Sequence, residues 1–162
     1  MKIIPLTQSK SALVDDEDYE WLNQWKWYAK HDNHDCYYAA RNSHKHTIRM
    51  HRLIMGLKAY NKKLVDHINH DGLDNRRSNL RICTTGQNQF NRIPSKNTAS
   101  KYKGVVHCTS NANWQAQIGF KGKRIYIGCF KTETKAANAY DKKAKELFGK
   151  FAYLNFPMED DG

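Results

Sequence analysis

Asp66 and His67 stand side by side in the stretch LVDHINHDGLDNRRSNLRICTTGQNQFNR, Leu64 to Arg92, with Asn79 and Asn88 further along it. These residue types suit one kind of chemistry. A hard divalent cation such as Mg²⁺ prefers oxygen ligands and keeps much of its water, so one carboxylate and one amide oxygen are a sufficient protein contribution. Asp66 offers the carboxylate and Asn88 the amide. His67 has an ordinary pKa near neutrality and suits a general base that takes a proton from water. Asn79 can hydrogen-bond across a hairpin and fix the imidazole orientation from behind. A metal beside such a base is the apparatus of phosphodiester hydrolysis. Arg76, Arg77, Arg81 and Arg92 flank the site and are expected to contact phosphates, which position a duplex without reading its sequence.

The elements that must position these residues are legible nearby. Leu64, Val65 and Ile68 make a short apolar run around the Asp-His pair. Leu80 to Cys83 alternates as a second strand does. Thr84 or Thr85 caps a helix carrying Gln87, Asn88 and Phe90. Upstream, residues 1–60 read as α+β. Ile3–Thr7 and Ala12–Val14 are strands, and the acidic run from Asp15 to Asp18 starts a helix leading into Tyr19, Trp21, Leu22 and Trp25. Two more strands cover Trp27–Ala29 and Cys36–Ala40. A short helix over His51–Met55 ends at Gly56. Trp21, Trp25 and Trp27 are core residues. Residues 93–100, IPSKNTAS, read as a linker. Downstream come strands over Tyr102–Cys108, Trp114–Phe120 and Arg124–Phe130, with a tight turn at Lys121-Gly122. Thr132 caps a helix from Glu133 to Leu147 whose stripe is Ala136, Ala137, Tyr140, Ala144 and Leu147.

The chain has 162 residues and a net charge of +11, so a polyanion is the natural partner. Residues 1–60 carry 9 basic against 7 acidic side chains, so the excess is concentrated from Lys62 onward. No apolar run approaches the roughly 20 residues that cross a bilayer, and no long basic amphipathic helix argues for a membrane surface. An intracellular location is expected. Cys36, Cys83, Cys108 and Cys129 form no C-x-x-C pair, which argues against a zinc knuckle. His31, His34, His44 and His46 fit no common ligand spacing and read as solvated or phosphate-facing.

The run D-H-I-N-x-D-G-L-D-N-R-x-S-N-L-R followed by Q-N resembles the HNH nucleases of ββα-metal fold, in the branch of phage and group I intron homing enzymes. The segment TIRMHRLIMG, residues 47–56, resembles what precedes the motif in that branch. The resemblance implies Asp66 and Asn88 as metal ligands, His67 as general base, Asn79 as the central asparagine and Asn75 as a structural loop residue. It implies Mg²⁺ or Mn²⁺ as cofactor and products with 5′ phosphate and 3′ hydroxyl. The family has a small residue where this chain has His70.

A second resemblance covers Tyr102 to Pro157. YKGV, W-x-A-x-I, I-G-x-F, T-x-x-x-A-A-x-A-Y-D and L-x-G-K-x-A-x-L-N-F-P resemble the plant ethylene-response-factor (apetala-type) DNA-binding domain. Lys103, Gln117, Arg124 and Tyr126 match its DNA-contacting positions. Arg124 keeps an arginine able to bond guanine O6 and N7, and Gln117 could read adenine. Val106, Cys108 and Gly119 replace arginines, which weakens the case for plant-like GC-rich recognition.

The expectation is therefore an α+β chain. Residues 1–92 form an HNH nuclease domain with its ββα core at 64–92 and an N-terminal α+β extension. Residues 93–100 are a linker, 101–157 a three-stranded antiparallel sheet packed on one helix, and 158–162 an acidic tail. The function expected is a metal-dependent, homing-type endonuclease acting on double-stranded DNA, nicking one strand as a monomer or cutting both as a homodimer. Its setting is the cytoplasm of a cell hosting a phage or mobile element. The rivals are a non-catalytic sequence-specific DNA-binding regulator and an RNA binder or ribonuclease.

Overall fold

A computed structural model describes every residue except 33–35, 45, 59, 95–98, 109–111 and 158–162. The acidic tail, His34 and the middle of the expected linker lie outside the described residues. The chain is α+β and divides into two compact units, Met1–Gly86 and Gln87–Gly162.

The first unit opens with the hairpin β1 (Lys2–Pro5) and β2 (Ser11–Val14), followed by α1 (Asp16–Asn23). Asp16, Glu17 and Asp18 crowd the first turn of α1, where the helix dipole favours acids. A three-stranded antiparallel sheet follows in the order β3 (Tyr28–His31), β4 (Tyr37–Ser43), β5 (His46–Arg49). The five-residue helix α2 (Met50–Ile54) then leads to the hairpin of β6 (Leu64–His67) and β7 (Leu80–Cys83). Alternation along β1 and β2 sends Ile4, Ala12 and Val14 inward. There they meet Leu22, Trp27, Ala39, Met50, Ile54 and Leu80 in one core. Trp21, Trp25 and Trp27 pack edge to face in series, with the Arg41 guanidinium over Trp25.

The helix α3 (Thr85–Phe90) spans the division, which falls after Gly86 and not in the 93–100 stretch. The reason is local. Phe90 stacks on Phe148 with centroids 3.8 Å apart, and its carbonyl accepts from Tyr153 N at 3.2 Å and Lys103 Nζ at 2.7 Å. Ser100, at the end of the expected linker, is buried; its hydroxyl donates to Glu133 and accepts from Tyr102 N.

The second unit is an antiparallel sheet of β8 (Val105–Cys108), β9 (Asn113–Phe120) and β10 (Lys123–Phe130), backed by α4 (Glu133–Phe148). Lys121 and Gly122 both have positive φ, the conformation that lets a two-residue turn follow strand twist. Thr132 Oγ1 caps α4 by accepting from Lys135 N. Ala136, Ala137, Tyr140, Ala144 and Phe148 are buried on α4; Phe148 takes the place expected for Leu147, which is partly buried. Gly104 has φ +75°, and a Cβ there would collide with the Tyr140 ring, so only glycine fits. The L-N-F-P segment acts as a clasp. The Asp141 carboxylate accepts from Asn155 N and Phe156 N, and Asn155 Oδ1 accepts from Lys103 N at 2.7 Å.

Candidate active site

The β6–β7 register sets Asp66 opposite Arg81 and His67 opposite Leu80. Paired residues project from one face of a hairpin. Arg81 Nε and Nη2 therefore both reach Asp66 Oδ2, at 2.8 and 2.6 Å. Asp66 and His67 are 7% and 6% exposed. The two residues singled out for chemistry are thus sheltered at the end of a strand, and the carboxylate is held by a cation from the partner strand.

The loop leaving His67 is cross-braced by its own side chains. Asn79 Oδ1 accepts from Asn69 N at 3.0 Å, while Asn79 Nδ2 donates to Asn69 Oδ1 at 2.9 Å and to Asp74 O at 2.8 Å. Asn69 Nδ2 donates to Asp74 Oδ2, and Asp71 and Leu73 close two further turns through side-chain oxygens. Leu13 N donates to Leu73 O and Asn75 N donates to Leu13 O, tying the loop to β2. Gly72 fits under β4 because a Cβ there would collide with Tyr37 O and the Tyr38 ring. His70 has φ +66°, a left-handed conformation that favours glycine over a residue with a side chain.

Asn79 therefore acts on the loop that leaves His67 and not on its ring, as the expected orienting role had it. The amide that faces the imidazole is Asn75, with no exposed surface. Its Nδ2 donates to Leu73 O, and its Oδ1 meets no well-aligned donor. Burial pushes the His67 pKa below the ordinary histidine value, while Asn75 and the carboxylates of Asp66, Asp71 and Asp74 pull it the other way. The result is an imidazole that is neutral at pH 7, the form a base requires. Tyr38 and His51 complete its surroundings, with ring centroids 5.7 and 4.9 Å from that of His67. Spacing within the motif gives no signal for these two; the segment carrying His51 reads from sequence as a short helix, with no sign that it packs on His67.

The donor set suits a hard cation. A carboxylate and an amide oxygen are the kinds of donor that Mg²⁺ takes. Among the described residues no group of three His, Cys, Asp or Glu side chains gathers to hold a metal. A site of one carboxylate and one amide falls outside that description. Asn88 lies exposed on α3, within the second unit.

The flanking arginines have internal partners that their positions in the sequence did not announce. Arg76 pairs with Asp74 at 2.7 Å. Arg77 bonds the buried Asp18 through Nε and Nη2, and its backbone N bonds Asp15 Oδ2. Arg81 holds Asp66. Arg92 is exposed in the second unit, where its carbonyl accepts from Lys103 Nζ at 2.6 Å. Lys103 is likewise engaged inward, by the carbonyls of Phe90 and Arg92, and burial pushes its ammonium down to about 8.

On the sheet, Tyr126 pairs with Gln117 and Arg124 with Gly119. Arg124 and Tyr126 are exposed, Tyr126 by 62%, and Val106 is also exposed. Opposite registers such as Ile125 with Ile118 face α4. One face of the sheet is thus core and the other carries the aromatic, amide and guanidinium groups.

Comparison with known proteins finds relatives of two kinds. A family model described as HNH endonuclease matches residues 49–90. An uncharacterised HNH endonuclease of Acanthamoeba polyphaga mimivirus is 35% identical over 144 residues, covering 89% of this chain and 74% of that protein. The AP2/ERF and B3 domain-containing transcription repressor TEM1 of Arabidopsis thaliana is 38% identical over 76 residues, 47% of this chain. The ethylene-responsive transcription factor WRI1 of the same plant is 41% identical over 63 residues, 38% of this chain. This chain spans only 20% and 15% of those two plant proteins. The chain belongs to the HNH endonuclease family and is a phosphodiester hydrolase, and part of it is similar to these AP2/ERF-type plant proteins. No helix among the described residues is long and apolar enough to cross a membrane.

Proposed function

We propose that this protein is a metal-dependent, homing-type DNA endonuclease that nicks one strand of a duplex, with its second unit selecting the site. The observation that carries the reading is the sheltered Asp66-His67 pair, one residue bonded to Arg81 and the other kept neutral by burial. His67 takes a proton from the attacking water at its imidazole. Asn79 keeps the following loop folded so that the strand end holding His67 stays in place. Asp66 and Asn88 would hold a divalent cation, Mg²⁺ or Mn²⁺, which supplies positive charge to the scissile phosphate and the leaving 3′ oxygen. Products then carry 5′ phosphate and 3′ hydroxyl. A single chain holds one such centre, so a double-strand break needs a dimer or two successive events.

The exposed face with Gln117, Arg124 and Tyr126 is assigned to the DNA groove, Arg124 to guanine and Gln117 to adenine. Arg92 is assigned to phosphate. A mobile-element or phage setting follows from the homing assignment and is in keeping with the viral relative.

Supercoiled plasmid incubated with Mg²⁺, with EDTA, and with the His67→Ala variant tests this. Metal-dependent nicking that vanishes in the variant while a gel shift persists supports the reading. Intact plasmid under every condition beside a clear gel shift favours the DNA-binding regulator, to which the plant relatives give some weight.

A further inference from the structure

Three rings converge inside the first unit: Tyr38 of β4, His51 of α2 and His67 of β6. His51 stands edge to face with His67, at 4.9 Å and 89°, and with Tyr38, at 5.5 Å and 69°. Nothing in this frame lets His51 withdraw. It is 4% exposed, and its neighbours Met50 and Ile54 are locked in the core. The end of α2 is tied down by Arg52, whose guanidinium donates to the carbonyls of Lys58, Asn61 and Lys63.

Packing alone does not explain an imidazole here. His51 Nδ1 is buried without a hydrogen-bond partner, an unfavourable state for a polar atom. A phenyl ring would fill the same space and leave no such atom. The ring carrying that atom is held edge to face between Tyr38 and His67.

We propose that His51 is a positioning residue for His67: its buried ring, edge to face with the imidazole at 4.9 Å, fixes the plane of the base, and its nitrogen keeps the pocket they share polar. Burial, with lesser help from His67, Arg49 and Arg52, keeps His51 neutral well below the ordinary histidine range, so a second positive charge does not arise beside the base. The inference rests on His67 acting as the base of the proposed reaction.

The test compares wild type, His51→Phe and His51→Gln by plasmid-nicking kinetics, thermal melting, and ring-nitrogen spectra of His67 recorded without metal or DNA. His51→Phe is expected to melt at or above the wild-type temperature. Its KM should stay within about twofold while kcat falls about 10- to 100-fold, the scale of a misplaced catalytic group. His67 ring signals should shift in this variant, and His51→Gln, which restores a polar atom, should recover part of kcat. Wild-type kcat in His51→Phe, unshifted His67 signals, or a rate loss that merely tracks the unfolded fraction would each overturn the proposal. Should His51→Phe not fold, the same readings on His51→Gln decide, a wild-type KM with a smaller loss in kcat and shifted signals being the supporting result. If wild-type protein cuts nothing, the reaction assignment fails, and the metal-free spectra still test the His51–His67 contact.

Discussion

Asp66 and Arg81 face each other across the β6–β7 hairpin and share a 2.6 Å ion pair in which both side chains are about nine-tenths buried. A carboxylate in that position is intelligible only with a cation against it. Removing one partner of a buried pair typically costs about 3–5 kcal/mol, because the other charge stays behind unpaired. Arg81→Met should therefore destabilise the protein by about that amount in urea unfolding. Added Mg²⁺ should restore more stability to the variant than to the wild type, since a bound cation replaces the lost charge. Equal unfolding midpoints for the two proteins would mean that the pair holds nothing.

The burial of His67 sets a pH limit. Its pKa lies below the ordinary value near 6.5, so its neutral form persists below that pH. The acid limb of the kcat/KM profile should fall below pH 6.5. The same shift links to stability. The folded state binds fewer protons than the unfolded chain, so stability is fully present above pH 6.5 and declines as pH falls below it. His51, pushed the same way, adds to that slope. An acid limb above pH 7 would contradict the neutral, desolvated base.

His70 holds a left-handed backbone with a side chain attached. That conformation costs a non-glycine residue about 1–2 kcal/mol, and glycine relieves it at some cost in unfolded-chain entropy. His70→Gly should raise stability by about 0.5–1 kcal/mol, read as an upward shift in melting temperature with nicking retained. A lower melting temperature would show that the imidazole makes a contact worth more than the strain.

Lys103 and Arg124 occupy two positions matched to DNA contacts, yet their surroundings differ. Lys103 Nζ is bonded to two carbonyls, whereas Arg124 is exposed. Lys103→Met should cost about 1–3 kcal/mol of stability, because those carbonyls lose a charged donor, and leave the salt dependence of DNA binding nearly unchanged. Arg124→Ala should leave stability nearly unchanged and weaken specific binding by about 1–3 kcal/mol. Melting curves and binding titrations at several salt concentrations separate the two, and swapped phenotypes would falsify the assignment.

Local chemistry was readable in the sequence wherever neighbours along the chain decide it. The strand at Leu64, the Gly56 stop after α2, the Lys121-Gly122 turn and the small-residue stripe of α4 follow from periodicity and turn preferences. The two-part α+β organisation followed from motif resemblance. Long-range pairing was not readable. Nothing near Arg77 announces Asp18, 59 residues away, and a run of arginines beside a phosphate-cleaving motif invites a phosphate contact instead. Lys103 misled for the same reason, since its partners are backbone carbonyls that sequence cannot display. The place of Asn75 against the His67 ring, and of Asn79 against the loop, depended on how residues 68–79 fold back on themselves. His51 was hidden because a single histidine in an apolar helix looks like filler until its neighbours are known.

The stacking of Phe90 on Phe148 bears on how such a chain can be assembled from interchangeable parts. A gene fusion joined within residues 93–100 would look natural on paper, yet it parts Phe90 from the aromatic face it covers. The splice that respects both cores lies after Gly86, in the middle of a helix. Any exchange of the sheet-bearing half divided there carries Asn88 along with it, so replacing that half also replaces one of the residues proposed to hold the metal.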